Sequence, residues 1–414
     1  MTEFSRRKAL ATGGALGALG TLGMASPAQA RAALAWTWAP SGSVAGTGAG
    51  ADPRWVWDAE ADPLLSSLFD RDVIGKVNEL LWNWERNDQP LPEGLPADLR
   101  DFMAHACRLP SWADRDKLEL AAEFNKSRGL YLNLCNGPGG GILATAIPDE
   151  ARAVYYSAGG ADMEDRVAKT SLFGFSVGAL NAYQPDGTCV VRCVKTRLVH
   201  AAVRHLLPQS PHWQRSADGK IPISQEDMLV TWHTLPTFAM RKMREWEVPI
   251  TDDEAEAYLH VWQVTAHMLG ILDEYIPATW DAAYAQSDEI LARNMGPTPE
   301  GVKLTDILLS QLAEQTSPPF GISRPLCNAL ARYLVGDQVA DWDGIPREPL
   351  WDRVIPEAWP ALVKFREGLI PLPLVPEAAW MIDEALRQYI LFYLTKGEQT
   401  RIEIPNHNRR EFPA

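Results

Sequence analysis

The chain has 414 residues, enough for one large domain or two smaller ones, and 46% of them are hydrophobic, so a substantial core is available and general disorder is excluded. A formal charge of −14 argues against a nucleic-acid partner, because phosphate binding asks for a basic surface. The 16 tryptophans exceed what a small soluble domain needs and point to extensive apolar packing around something bulky.

The N-terminus reads as an address. Ser5-Arg6-Arg7-Lys8 precedes a mild, glycine-rich apolar run, and Ala28-Gln29-Ala30 is a small-residue cleavage signal. Residues 1–30 resemble a twin-arginine leader, with Ala9 where a phenylalanine is commonly found; a Sec leader that carries two arginines is the plainer alternative. The run is too short and too rich in glycine to be a comfortable membrane span, so no integral span is expected. Twin-arginine export carries folded proteins, often with a cofactor already inserted, and the protein is expected to be secreted. Cysteine usage agrees: Cys107, Cys135, Cys189, Cys193 and Cys327 make an odd count without framework spacing, so free thiols are expected. The three residues between Cys189 and Cys193 are a poor fit to zinc, and no CxxCH is present, which excludes covalent haem attachment.

From 31 to 63 the chain is rich in Gly, Pro and Trp and is expected to wrap the surface without regular structure. Helical patterns follow over 64–85, 97–108 and 114–126, through the 146–207 region, and over 225–246, 252–275, 280–294, 304–314, 325–335, 356–367 and 377–394. Ser224 before Glu226-Asp227 and Thr251 before Asp252-Asp253-Glu254 are helix N-caps, and Pro236 is expected to kink its helix. Alternating apolar and polar runs are scarce and no βαβ rhythm occurs. The expected fold is all-α, with residues 31–414 forming one domain.

The chemistry concentrates between Ala146 and Arg204. Two helical signals are separated there by the turn Gln184-Pro185-Asp186-Gly187. On the first, Arg166, Lys169, Thr170 and Phe173 share one face; on the second, Arg197, His200 and Arg204 do. A lone histidine is more often a satisfied core or surface residue than a ligand, and His105, His205, His212, His233, His260, His267 and His407 compete with His200. His200 gains from its small apolar flanks (Val199, Ala201, Ala202 and Val203) and from the two same-face arginines. A haem offers an iron for that imidazole and two propionates for Arg197 and Arg204. Other centres fit worse: the Glu-x-x-His pairs of a di-iron bundle and the HExxH of a zincin are both absent. Gly174-Phe175-Ser176-Val177-Gly178 matches a GxSxG nucleophile elbow, and the glycines at 137–141 imitate an oxyanion-hole loop. An elbow needs a strand before its serine, whereas 165–173 reads as helix. The glycine run also lacks the Lys-Ser/Thr ending of a P-loop.

Longer stretches carry a resemblance. SGSVAGTG, RAVYYSAGGADMEDRVAKT, VKTRLVHAAVRHLLPQSP, VTWHTLPTFAMRKM, EAYLHVWQV and FREGLIPLP run through nearly the whole mature chain. In them the sequence resembles the latex clearing proteins, haem b rubber oxygenases of actinobacteria. The resemblance implies a globin-like helical core with additional helices around non-covalent haem b. It implies O2 as co-substrate and cleavage of the double bonds of cis-1,4-polyisoprene, leaving oligomers with aldehyde and ketone ends. It places the proximal iron ligand at His200 and a distal ligand of a closed state at Lys169, beside Thr170. It makes Glu150 a catalytic acid/base and Arg166 a pocket residue, and puts Arg197, Arg204, Thr231 (in VTWH) and Arg332 (in ARYLVG) near the haem. A monomer is expected. The plainer readings are that Lys169 and Arg166 are solvated helix residues and that Glu150 favours a helix N-terminus. Two other functions stay in play: a secreted serine esterase using Ser176, and a haem carrier or polymer-binding protein that consumes no O2.

Overall fold

Apolar residues at helical spacing organise the chain almost from end to end. The computed structural model describes residues 35–36, 42–46, 50–160, 162–217, 220–368, 381, 383–385, 388–389 and 401–409. The leader and most of the helix expected over 377–394 lie outside the described residues. A ladder of two residues a side, β1 (Ala35–Trp36) against β2 (Gly50–Ala51), is the only sheet among the described residues; the rest is helical, and the fold is all-α as expected.

The first helices are α1 (Ala61–Asp70), α2 (Ile74–Leu81), α3 (Ala97–Ala106) and α4 (Arg115–Ser127). The helix expected over 64–85 is thus two, because Asp72 turns into the left-handed region at φ 52°, a conformation that a short polar side chain tolerates. Next come α5 (Gly129–Leu134), a π-turn at Cys135–Gly139, α6 (Gly140–Thr145), α7 (Pro148–Tyr156), α8 (Met163–Val177), α9 (Cys189–Leu206) and α10 (Pro211–Ser216). The helix expected over 225–246 is α11 (Gln225–Trp232) and α12 (Phe238–Glu245), joined by a second π-turn at His233–Thr237. Each π-turn contains a proline, Pro138 or Pro236. Proline has no N–H to donate and its ring crowds the preceding turn, so the wider turn accommodates it and the helix runs on. The two π-turns pack against each other. A Cβ on Gly139 would stand 2.7 Å from the Phe238 ring, and one on Gly140 would stand 2.8 Å from Leu235. The glycine run is therefore a helix–helix contact.

The remaining helices are α13 (Asp252–Met268), α14 (Trp280–Asn294), α15 (Pro299–Phe320), α16 (Arg324–Val335), α17 (Asp337–Trp342) and α18 (Trp351–Arg366). Ser224 and Thr251 make the expected capping boxes at α11 and α13. α13 stops short of the expected 275 because Gly270 (φ 91°) ends it, with Ile271 N–H returning to Ala266 O at 3.0 Å. Among the described residues no helix is long and apolar enough to cross a membrane.

Two large hydrophobic cores result, with four smaller clusters beside them among the described residues. The larger gathers Phe124, Tyr131, Met240, Trp246, Tyr258, Trp262 and Trp359, where much of the aromatic content goes. The second is built by α1, α2 and α3 around Leu65, Leu68, Leu99 and Met103. α9 belongs to both: Cys189, Val190 and Cys193 enter the first, while Val191, Val194, Leu198, Ala201 and Ala202 enter the second. At about 100° per residue, that second stripe leaves His200 on the opposite side of the helix.

Candidate active site

His200 Nδ1 is buried, and among the described residues neither ring nitrogen has a hydrogen-bond partner. Burial pushes its pKa down to about 3, helped by the charges of Arg204 and Arg166 and opposed by Asp58, so the ring is neutral. Each of the other seven histidines is engaged. His233 is held by Thr237 at 3.0 Å and Gln286 at 2.9 Å, His260 accepts from Asp114 N–H at 2.8 Å, and His267 meets Asp273 at 2.6 Å. His205 stacks on Phe69, His212 contacts Arg215, His105 lies near Glu60 and His407 meets Asn406. Of the eight, His200 is the one with a ring nitrogen buried and without a hydrogen-bond partner among the described residues.

Glu150, Arg166 and His200 are drawn together by the fold, half-buried and with Arg166 near enough for its charge to act on both of the others; Thr231 joins them through Glu150. Glu150 stands in the first turn of α7, after Pro148, and Thr231 stands near the end of α11. The Thr231 hydroxyl donates to Glu150 Oε1 at 2.6 Å; its own turn's Asp227 carbonyl, at 3.3 Å, is the weaker acceptor. Burial lifts the Glu150 pKa to about 8; Asp227 and Asp149 add to the rise, against the Thr231 hydrogen bond and Arg166. A carboxyl so placed holds its proton at neutral pH. The Arg166 guanidinium, on α8, makes no hydrogen bond or ion pair among the described residues. Burial weakens its hold on its proton and Glu150 strengthens it, and a guanidinium stays charged throughout. The result is a neutral base, a neutral acid and an unpaired cation near one another.

The expectation that Arg197 and Arg204 are free for propionates does not match their contacts. Arg197 binds Asp58 through Nε at 2.6 Å and Nη2 at 2.9 Å, and Glu60 at 2.9 Å. Arg204 Nε donates to Asp62 Oδ1 at 2.7 Å and Nη1 to Ile223 O at 3.2 Å. Burial acts to raise the Asp58 carboxyl, but the Arg197 hydrogen bonds and charge hold it below its usual range. Both arginines therefore tie α9 to the segment entering α1. Arg332 is buried in α16, donating to Ile345 O at 2.8 Å and to Asp337 and Asp341 at 2.7 Å each, and no contact joins it to Glu150 or His200. Lys169 pairs with Asp165 one turn back at 2.7 Å, its side chain 30% exposed, and Thr170 beside it is exposed.

Ser176 lies inside the last turn of α8, 2% exposed, and donates to Phe173 O at 2.6 Å. No strand precedes it and no histidine contacts it among the described residues, so the nucleophile-elbow reading fails on geometry. All five cysteines are free thiols.

Residues 129–365, which hold Glu150, Arg166, Lys169, Thr170, Arg197, His200, Arg204, Thr231 and Arg332, match the family model described as "ER-bound oxygenase mpaB/B'/Rubber oxygenase, catalytic domain". The chain is 56% identical over 410 residues to a rubber oxygenase of Streptomyces sp. (strain K30), covering 99% of this chain and 100% of that protein. The chain belongs to the rubber oxygenase family. It is accordingly an oxygenase, an oxidoreductase, and the resemblance to latex clearing proteins holds along its length. The solved structure of latex clearing protein in the closed state superposes with a TM-score of 0.81 at 56% identity, covering 89% of this chain and 99% of that one. Within this rubber oxygenase fold, residue reasoning missed Asp58, Glu60 and Asp62, which sit in a stretch expected to be irregular. It also missed Lys220 and Asp149, for which no local pattern gives a signal.

Proposed function

We propose that the protein is a secreted haem b dioxygenase that cleaves the C=C bonds of cis-1,4-polyisoprene with O2, giving oligo-isoprenoids with aldehyde and ketone ends. The relative named a rubber oxygenase supports the substrate. One observation carries the cofactor: of eight histidines, His200 alone is buried, neutral and without a partner among the described residues. A neutral imidazole on a helix fixed by two cores would suit a ligand to a haem iron. The fit holds at the iron; the arginines meant for the propionates are engaged with Asp58, Glu60 and Asp62.

Bound there, haem supplies an iron for O2 and the electrons that the cleavage exchanges. The chain's own groups do the rest. His200, on α9, would hold the iron. Glu150, oriented by the Thr231 hydroxyl, keeps a proton near neutral pH and can release or take one at its carboxyl oxygens, beside an allylic carbon or an oxygen of the reacting pair. Arg166 offers a cation for negative charge that develops in the same space. Lys169, with Thr170 next to it, would be a second ligand to the iron in a closed state, once its amine had left Asp165 and lost its proton.

Purified protein is expected to show a Soret band, and pyridine extraction is expected to release the haem, since no thioether link exists. His200→Ala should lose most of it while remaining folded by circular dichroism. A colourless, folded preparation would sink the haem reading. Protein that binds rubber particles without consuming O2 would leave only the polymer-binding alternative.

A further inference from the structure

Lys220 stands just before the helix that carries Thr231, and its ammonium reaches across to another helix. Nζ pairs with Asp149 Oδ2 on α7 and lies 4.0 Å from Asp227 Oδ1 on α11. Asp149 immediately precedes Glu150, and Asp227 lies one turn before Thr231. α7 and α11 are therefore joined twice, once by the Glu150–Thr231 hydrogen bond and once by the Asp149–Lys220–Asp227 bridge beside it. Neither end of the bridge is loose. Lys220 N–H donates to Ala217 O at 2.9 Å, and its carbonyl accepts from the indole of the fully buried Trp213 at 2.7 Å. Asp227 is fixed by its capping box with Ser224.

The charged surroundings are few. Glu150 faces Asp149 on its own helix, Asp227 on α11 and Arg166 on α8. Lys220 faces the same two aspartates and Glu226, whose carboxylate is held by Arg293 and Asn294. From α15, Glu300 is taken up by Tyr156 and Arg152, and Lys303 reaches the Tyr155 hydroxyl. From α10, His212 and Arg215 contact each other. Two carboxylates beside a third disfavour its ionisation unless a cation offsets them. Lys220 is the cation that touches Asp149.

We propose that Lys220 is a positioning residue for Glu150: it neutralises Asp149 and Asp227, sets the pH at which Glu150 exchanges its proton, and holds α7 and α11 at the spacing of the Glu150–Thr231 hydrogen bond. Its catalytic consequence rests on the acid/base reading of Glu150; its effect on the titration of Glu150 does not.

The test is an infrared pH titration of the full-length protein as isolated, following the protonated carboxyl C=O stretch that disappears in Glu150→Gln. Lys220→Met should raise the midpoint by about one pH unit, less than the ~1–3 units of a direct opposite-charge neighbour because it acts through two carboxylates. Lys220→Arg should restore it. Asp227→Asn, which removes a negative charge but can still accept from Ser224 N–H, should move it the other way. An unchanged midpoint in Lys220→Met, or shifts of the same sign in both variants, overturns the proposal. Should Lys220→Met not fold, Asp149→Asn and Asp227→Asn decide: lowered midpoints support the coupling and unchanged ones overturn it. The limb of the kcat–pH profile governed by Glu150 should follow the infrared midpoint. If the midpoints move as stated while Glu150→Gln turns over normally, the acid/base reading fails and the bridge stands. If Glu150→Gln is inactive and the midpoint ignores Lys220, the bridge alone fails.

Discussion

At neutral pH the candidate site holds an acid that keeps its proton and an imidazole that refuses one, and burial is the leading cause of both. Glu150→Gln preserves the shape of that acid and removes its exchangeable proton. It is expected to keep the haem absorption and to lose roughly 10²–10⁴-fold in turnover, the usual worth of positioned proton transfer. Stability gives a second readout. The folded-state pKa is raised from 4.5 to about 8, so the contribution is fully present below the lower value and is lost as pH rises through the upper one. Urea midpoints of wild type should therefore fall relative to Glu150→Gln as pH rises across that window; parallel curves would contradict the shift. Lys169→Ala should keep haem through His200, lose any low-spin six-coordinate signature and bind imidazole more readily. Identical spin states and imidazole affinities in the two proteins would remove Lys169 as a distal ligand. Local pattern and the longer family stretches named Glu150, Arg166, His200 and Thr231, which the fold brings near one another. The acidic partners of the two arginines were not legible, because Asp58 and Asp62 lie 139 and 142 positions away, a distance no local pattern spans. The Lys220–Asp149 pair was hidden for the same reason, 71 positions apart.

Among the elements, helix existence was readable and helix continuity was not. A period of 3.6 marks an apolar face, but it does not say whether Pro236 ends a helix, bends it or is absorbed into a π-turn. That outcome depends on the facing π-turn, whose glycines let the two backbones approach. Gly139→Ala would drive its Cβ to within 2.7 Å of the Phe238 ring and should cost about 1–3 kcal/mol as an overpacked contact. Gly141→Ala, two residues on and with only Leu308 at 3.8 Å, meets ordinary van der Waals contact and should be neutral or slightly stabilising. Chemical denaturation of the two variants separates a steric contact from a general intolerance of alanine in that run; equal losses would discount the π-turn packing.

For the whole molecule, the sequence announced an all-helical fold but gave no sign that its apolar residues divide into two cores, since which face meets which core is a matter of tertiary contact. α9 is the member common to both, and this bears on how the site comes apart. A helix packed on one side can detach while the rest of a protein stays folded; one wedged between two cores has no such partial route, because releasing it opens both. Amide hydrogens in the middle of α9, around Leu198 and His200, should therefore exchange with solvent only through complete unfolding, at the free energy of the whole molecule. Leu99→Ala, a truncation in the second core at a residue with 0% exposure, should lower that free energy by about 2–5 kcal/mol and speed those amides by the matching factor. Native-state exchange read by mass spectrometry would show it, and α9 amides that exchange faster than global unfolding allows would disprove it. If the amides behave so, the imidazole has no frayed intermediate in which to release what it binds, and the lifetime of the loaded enzyme is set by the unfolding rate of the chain.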